Sequence, residues 1–308
     1  MNDALAIETR GLTRYFGTRA AVYELNLHVP RGGVFALLGR NGSGKSTTIR
    51  MLLGLLDPTR GGGTILGYDI LALPPEARAR IGYLTEDHQV YGWMTVRQAG
   101  EFQARFYSTW SEKVFRGVVG HFRLEPKALV KSLSRGERAG LCLALTLAPE
   151  PELLILDDPA MGLDPVARRS LVESMIYLTR RADRTIFFST HHLSDVERVA
   201  DSIAVLDRSV LRAACPLEAF QSEVRQVRLR FAGTPPPLPE LPGLLQALRS
   251  ENELRLTFVH YNGSTETALR ALAPAQLELV PLSLEDAFIS YLGDRGEKSF
   301  ILSETEAS

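Results

Sequence analysis

Gly39-Arg40-Asn41-Gly42-Ser43-Gly44-Lys45-Ser46 sets two glycines five apart ahead of a Lys and a Ser. That is the phosphate-loop spacing. A phosphate chain carries several negative charges and is held best where unpaired backbone N–H groups and the positive end of a helix dipole converge. Gly39, Gly42 and Gly44 let the loop turn its amides inward and approach closely. Lys45 supplies a point charge for terminal phosphates, and the Ser46 hydroxyl suits a magnesium ion. A glycine-rich surface turn would share this composition but not its setting, between the apolar run Val34–Leu38 and an amphipathic helix.

Three more stretches place reactive groups at the ends of predicted elements. Leu153-Leu154-Ile155-Leu156 reads as a strand buried on both faces of a parallel sheet, and it ends in Asp157 and Asp158. Acids there could hold magnesium and an attacking water beside a phosphate loop, or simply cap the next helix. Ile186-Phe187-Phe188-Ser189 repeats the design and leads to Thr190-His191-His192, then a helix with Ser194 and Glu197 at capping spacing. A strand-end histidine can donate to a phosphate or water, although a lone histidine is more often structural. Leu133-Ser134-Arg135-Gly136-Glu137 opens a helix that stops before Pro149. Its Ser134 and Glu137 fit a capping box, and the same helix start is a ready anion site; the local pattern fits both. Tyr15 and Phe16, ahead of Gly17, offer an aromatic face for a nucleobase or an ordinary strand-end packing contact.

The 308 residues allow one large domain or two modest ones, and 45% apolar with 23% charged residues is the composition of a soluble globular protein. A net charge of −1 gives no general pull toward nucleic acid. Cys142 and Cys215 lie far apart in sequence with no second cysteine near either, which argues against a disulfide framework or zinc site and suits a reducing cytoplasm. There is no signal-peptide pattern and no run of about 20 apolar residues, so no span of its own is expected.

Alternation over 5–29 predicts short antiparallel strands, Gly61-Gly62-Gly63 a flexible turn, and Thr64–Tyr68 and Ile81–Leu84 further strands. Residues 85–132 are helix-patterned, and most of their aromatics (Tyr91, Trp93, Phe102, Phe106, Tyr107, Trp110, Phe115, Phe122) are expected in a small helical core. Tyr91 and Trp93 sit in a glycine-containing loop and are better placed for an exposed contact. Strands near 203–206 and 210–213 follow. Beyond about 215 the pattern changes to a strand at 223–233, a Pro-rich linker at 234–242, strands at 253–259 and 276–282, and helices at 265–272 and 283–292. Residues 222–308 hold 8 Lys and Arg against 12 Asp and Glu, an acidic appendage with a polar tail from 293 to 308.

The phosphate loop, LSRGE, LLILDDP, Gly162-Leu163-Asp164 and the His191 turn occur in the order and spacing of an ABC transporter ATP-binding subunit, which residues 4–215 closely resemble. Ser283-Leu284-Glu285-Asp286-Ala287-Phe288 is similar to the tail of such subunits from bacterial multidrug or lipid exporters. The resemblance implies an α/β fold: a P-loop NTPase ABC ATPase domain at 4–220 with an antiparallel β subdomain and a helical subdomain, then a small α/β domain at 222–292. It implies ATP and Mg2+, with Phe16, rather than Tyr15, on adenine and Gly39 through Thr47, including Arg40, Asn41 and Ser43, around the phosphates. Asp157 and Ser46 would hold magnesium, Asp158 and Lys45 would serve hydrolysis, and His191, rather than His192, would be the switch histidine. Ser134 and Gly136 would bind the terminal phosphate on a second subunit docked head to tail, with Asp164 between the two sites. Partners would be that second cassette and separate membrane permease subunits, at the inner face of the cell membrane, with export the expected direction.

Three positions depart from the pattern. The signature reads Arg135-Gly136, Glu86 stands where a magnesium-linked Gln is usual (Gln89 is out of register), and Asp158 replaces the usual Glu. The last keeps a carboxylate with shorter reach, so slow hydrolysis, or a regulatory clamp with little turnover, is the expectation it raises.

Overall fold

The computed structural model describes residues 4–179, 184–292 and 302–303 of the chain. It divides into two compact units, Met1–Leu211 and Arg212–Ser308.

The first unit opens with β1 (Leu5–Phe16), β2 (Arg19–Leu25) and β3 (His28–Pro30), after which β4 (Gly33–Leu38) leads through the phosphate loop into α1 (Lys45–Leu52). Then come β5 (Arg60–Ile65), β6 (Tyr68–Asp69), α2 (Pro75–Ala79) and β7 (Ile81–Leu84), followed by α3 (Val96–Ala104), α4 (Glu112–His121) and α5 (Arg135–Leu147). β8 (Leu153–Asp157), α6 (Pro165–Thr179), β9 (Thr185–Thr190), α7 (Leu193–Val199) and β10 (Ser202–Asp207) complete it, and β11 (Val210–Pro216) carries the chain into the second unit.

In the parallel sheet the order is β10-β4-β9-β8-β7. Every residue of β8 and β9 is buried, as strands covered on both faces must be. Leu38 pairs with Thr190, and Asp157 with Ser189, so the carboxyl ends of β4, β9 and β8 finish level. Such aligned strand ends are where open α/β sheets bind ligands.

A separate antiparallel sheet runs β2-β1-β5-β6, with β3 also on β1. Here Gly61-Gly62-Gly63 is not the flexible turn expected; it lies inside β5, with Gly62 opposite Arg10 and Gly63 opposite Thr9. The reason is close approach. A Cβ on Gly61 would stand 2.3 Å from the Gly11 carbonyl oxygen, at a φ of +71° that side chains avoid.

The helical part packs Met94, Val96, Phe115, Val119, Leu141 and Ala144 together. Of the aromatics expected there, Phe115 is buried and Trp110 and Phe122 pack against the cluster. Phe102 and Phe106 do not join it. α3 buries Val96, Ala99 and Gly100, and Phe102 falls outside that face. Phe102 and Phe106 are instead exposed, and they join Tyr91 and Trp93, which are exposed as their loop position predicts, in a chain of ring contacts with centroids 5.2 to 6.1 Å apart. No helix among the described residues is long and apolar enough to cross a membrane.

The second unit contains α8 (Leu217–Glu223), β12 (Val224–Arg230), β13 (Leu244–Arg249), β14 (Glu253–Val259), α9 (Gly263–Arg270), β15 (Gln276–Val280), α10 (Leu284–Leu292) and β16 (Leu302–Ser303). Its antiparallel sheet, β13-β14-β12-β15, buries Val227, Leu229, Leu254, Leu256 and Phe258 against Leu269 of α9. α8 and β13 were not anticipated from sequence. The expected polar tail lies outside the described residues apart from Leu302–Ser303, which pairs in parallel with β11.

Two helical glycines admit aromatic rings: a Cβ on Gly100 would sit 2.5 Å from the Phe115 ring, and one on Gly140 2.3 Å from that of Phe122. Gly140→Ala gains roughly 1 kcal/mol of helix propensity but overpacks the site at a cost of about 1–3 kcal/mol. A lowered denaturant midpoint is therefore expected, against the propensity trend.

Candidate nucleotide-binding site

The loop between β4 and α1 is shaped by what cannot be accommodated there. Gly44, the residue before α1, has φ 110°, and a Cβ on it would lie 2.2 Å from the Ala21 carbonyl oxygen. Gly39 is as confined, with the Leu206 carbonyl oxygen and Ser43 Oγ each 2.4 Å from where its Cβ would stand. Gly42 faces open space. Lys45 is buried and folds back over the loop, donating from Nζ to the carbonyls of Gly39 (2.8 Å) and Arg40 (3.2 Å). Burial pushes its ammonium pKa down, while Asp158, Asp157 and Glu86 pull the other way.

Asp157 sits behind the loop. Its Oδ1 accepts from Ser46 Oγ at 3.0 Å and from Ser189 Oγ at 2.7 Å, linking α1, β8 and β9. Ser189 Oγ in turn accepts the Asp158 N–H at 3.0 Å. Asp158 has a left-handed φ of 42°, and its Oδ2 lies 2.6 Å from Nδ1 of His191. Its Oδ1 is buried and makes no hydrogen bond among the described residues. Burial raises the Glu86 pKa, and Asp158, Asp157 and Asp87 add to the rise while Lys45 opposes it.

A cleft of about 530 Å³ is lined by Phe16, Asn41, Gly42, Lys45, Ser46, Thr47, Glu86 and Asp158, together with Arg19, Ala21, Gly44 and Met161. Phe16 is 52% exposed at the end of β1, with the Arg14 guanidinium 4.9 Å from its ring centre. Gly39, Ser43 and Asp157 are not among the lining residues, and exposed Arg40 flanks the loop. His191 meets the site through Asp158. Its ring lies against that of His192, centroids 3.9 Å apart.

Ser134, Gly136 and Asp164 do not line this cleft. Ser134 and Glu137 form a complete capping box on α5, and Asp164 Oδ1 accepts from the N–H groups of Val166 and Ala167 at the start of α6. The two helix starts touch, since a Cβ on Gly136 would meet Ala167 Cβ at 2.6 Å. The cap expected at Ser194 is not formed: α7 begins at Leu193 with His192 before it, and Ser194 Oγ accepts from Arg168 instead. Gln89 points its amide at Asp87, 3.4 Å away, and lines a different cleft. Sequence reasoning missed Ser189, whose signal was a hydroxyl closing an otherwise apolar strand, and missed Arg168 and Asp195, which carried no local signal.

The oxygen-only set of Ser46, Asp157 and Glu86 fits a hard divalent cation, and the unpartnered Asp158 oxygen beside them is a further acceptor. Among the described residues no three His, Cys, Asp or Glu side chains group as a metal site, so such an ion would depend on phosphate and water oxygens as well.

A parallel sheet whose phosphate loop and Asp158 line one cleft, with Asp157 bonded to Ser46 behind the loop and His191 joined through Asp158, defines a P-loop nucleoside triphosphatase. The family profile described as ABC transporter matches residues 22–161. The chain is 33% identical over 302 residues to the Nod factor export ATP-binding protein I of Rhizobium sp. (strain N33), covering 96% of this chain and 99% of that one. It is 34% identical over 222 residues to the bacitracin transport ATP-binding protein BcrA of Bacillus licheniformis, covering 71% and 72%. A solved ATP-binding subunit of an ABC transporter superposes with a TM-score of 0.63 at 29% identity, over 70% of this chain and 92% of that one. The chain belongs to the ABC transporter family, as an ATP-binding subunit that hydrolyses ATP.

Burial first, then the charges of Arg168 and His191, hold the His192 pKa below the usual imidazole range. A histidine so depressed binds fewer protons folded than unfolded, so stability is full above the unfolded value of about 6.5 and falls as pH drops toward the folded one. The loss of denaturant midpoint between about pH 7.5 and about pH 5.5 is expected to be smaller in His192→Gln than in the parent.

Proposed function

We propose that the protein is a cytoplasmic subunit, peripheral to the inner face of the cell membrane, whose ATP hydrolysis drives export through separate permease subunits. The observation that carries this reading is the Ser46–Asp157–Ser189 linkage beside the Asp158–His191 contact, which sets a phosphate cradle next to a held carboxylate. Export as the direction rests on relatives named for Nod factor export and on none of this chain's residues. Phe16 stacks on adenine, the amides from Gly39 to Thr47 enclose the phosphates, and Lys45 leaves its loop carbonyls for the terminal phosphate. Ser46, Asp157 and Glu86 would hold magnesium, which would supply charge neutralisation at the phosphates.

His191 holds Asp158 by one carboxylate oxygen. The other, without a protein partner, orients the attacking water and takes its proton. Because Asp is one methylene shorter than Glu, that oxygen stands back from the water and turnover is slow. Ser134, Gly136 and Asp164 lie off the cleft, which supports their use on the nucleotide of a second cassette, identical or related. A second cleft of about 170 Å³ lined by Tyr83, Gln89, Gln103, Tyr107 and Leu145 belongs to the same region as the exposed Tyr91–Trp93–Phe102–Phe106 chain; together they offer a seat for a cytoplasmic helix of the permease.

Steady-state hydrolysis tests the site. Lys45→Ala is expected to abolish turnover, and Asp158→Asn to lower it by about 10²-fold or more. Asp158→Glu should raise it, and no gain in that variant overturns the reach argument. For the permease seat, a Tyr91→Ala/Trp93→Ala double variant should lose most co-purification with the membrane subunits while keeping its basal ATPase rate. Undiminished recovery of the complex would rule that surface out.

A further inference from the structure

The loop from Asp158 to Asp164 enters α6, and the turn at His191 and His192 enters α7. At the cleft they are joined by the 2.6 Å contact between His191 and Asp158. They are joined again away from it. Arg168 on α6 donates from Nε to both carboxylate oxygens of Asp195 on α7, at 3.0 and 3.1 Å, and its Nη2 stands 2.9 Å from Oδ2. The same Nη2 donates to Ser194 Oγ at 3.3 Å.

This pair is not a casual surface contact. Asp195 is 7% exposed and borders a small void whose other walls include Leu171, Val172, Phe188 and Val199. A carboxylate in such surroundings needs its partner, and a guanidinium fork meeting it at several points fixes orientation as well as distance. α7 has only seven residues and no side-chain cap at its start, because His192 makes none. Asp195, the acidic residue of its first turn, is committed to Arg168 instead. The first turn of α7 is therefore held from α6.

The contacts close a ring: Asp158 to His191, through His192 to Asp195, across to Arg168, and along the first turn of α6 to Asp164. Arg168 N donates to the Asp164 carbonyl at 2.9 Å, so the exposed Asp164 and Arg168 belong to one rigid turn. A push on Asp164 has a second path to His191 besides the loop between them.

We infer that Arg168 and Asp195 are positioning residues for hydrolysis: their pair sets His191 against Asp158 and makes docking at Asp164 felt at His191. This rests on the reading that a second subunit docks at Asp164 and that Asp158 serves the attacking water. Neither side chain lines the nucleotide cleft, so their loss acts on the chemical step and its coupling rather than on nucleotide affinity.

The test compares the full chain with Arg168→Gln, Arg168→Lys and Asp195→Asn by ATPase kinetics with magnesium, and by nitrogen NMR of the His191 ring. The expected result for Arg168→Gln is a fall in kcat of roughly 10²-fold, as for a displaced catalytic group, with KM for ATP within about twofold. Any cooperativity in ATP should fall with it, and the His191 Nδ1 signal should move although the cradle is untouched. Arg168→Lys keeps the charge without the fork and should recover part of kcat. Unchanged kcat with an unmoved His191 signal overturns the inference, and so does a matched loss of ATP affinity in all three variants, which marks a merely structural pair. A parent protein that itself neither hydrolyses ATP nor pairs in its presence overturns the underlying reading instead.

Discussion

One carboxylate oxygen organises the site. Oδ1 of Asp157 accepts from Ser46 on the helix after the phosphate loop and from Ser189 at the end of the neighbouring strand, while the Asp157 backbone ends a strand buried throughout. Had β8 and β9 paired one residue out of register, Ser189 and Asp157 would face opposite sides of the sheet, because successive side chains alternate. Register in turn follows from burial on both faces, where a slip would strand large side chains such as Phe187 and Phe188. The polar geometry at the strand ends is thus set by apolar packing several residues away.

The charges around that node are arranged for something negative to arrive. Lys45 is buried with only loop carbonyls as direct partners, and desolvation weakens its hold on its proton. The Glu86 pKa is raised by burial and by three aspartates, Asp158, Asp157 and Asp87. Neither condition is comfortable alone: a desolvated ammonium wants an anion, and three neighbouring acids want a cation. Phosphate with a divalent metal would relieve both at once. This supports a preorganised electrostatic site, in which the protein's dipoles and charges are placed before the substrate enters.

Sequence made some parts legible and hid others for definable reasons. β7 and β14 fall where alternation placed them, and the phosphate loop was unmistakable because it joins a short motif to a strand and a helix. Gly61-Gly62-Gly63 misled, since glycine serves close strand approach as well as turns, and nothing local tells the two apart. Aromatic type favours a core place for Phe102 and Phe106, whereas exposure depends on which helix face the rest of the chain covers. Ser194 had capping spacing, but the first turn it would have capped is held by Arg168, whose separation of 27 residues from Asp195 left no pattern to read. The capping box of Ser134 and Glu137 was legible because both partners lie in one turn, whereas contacts between elements distant in sequence left no local pattern.

The shorter acid at position 158 also has a backbone argument. Its φ of 42° lies in the left-handed region, which aspartate tolerates better than longer side chains because its carboxylate can settle on nearby backbone and polar groups. The Asp158 N–H is taken by Ser189, through both its hydroxyl and its carbonyl, so that conformation is pinned from the next strand. A Glu here would extend toward the cleft, but in a less favoured backbone well and with its carboxylate carried past the point where His191 now meets it. The residue thus sits between two demands, reach into the cleft and retention by the histidine. With Asp, the geometry satisfies the second, through the 2.6 Å contact with His191.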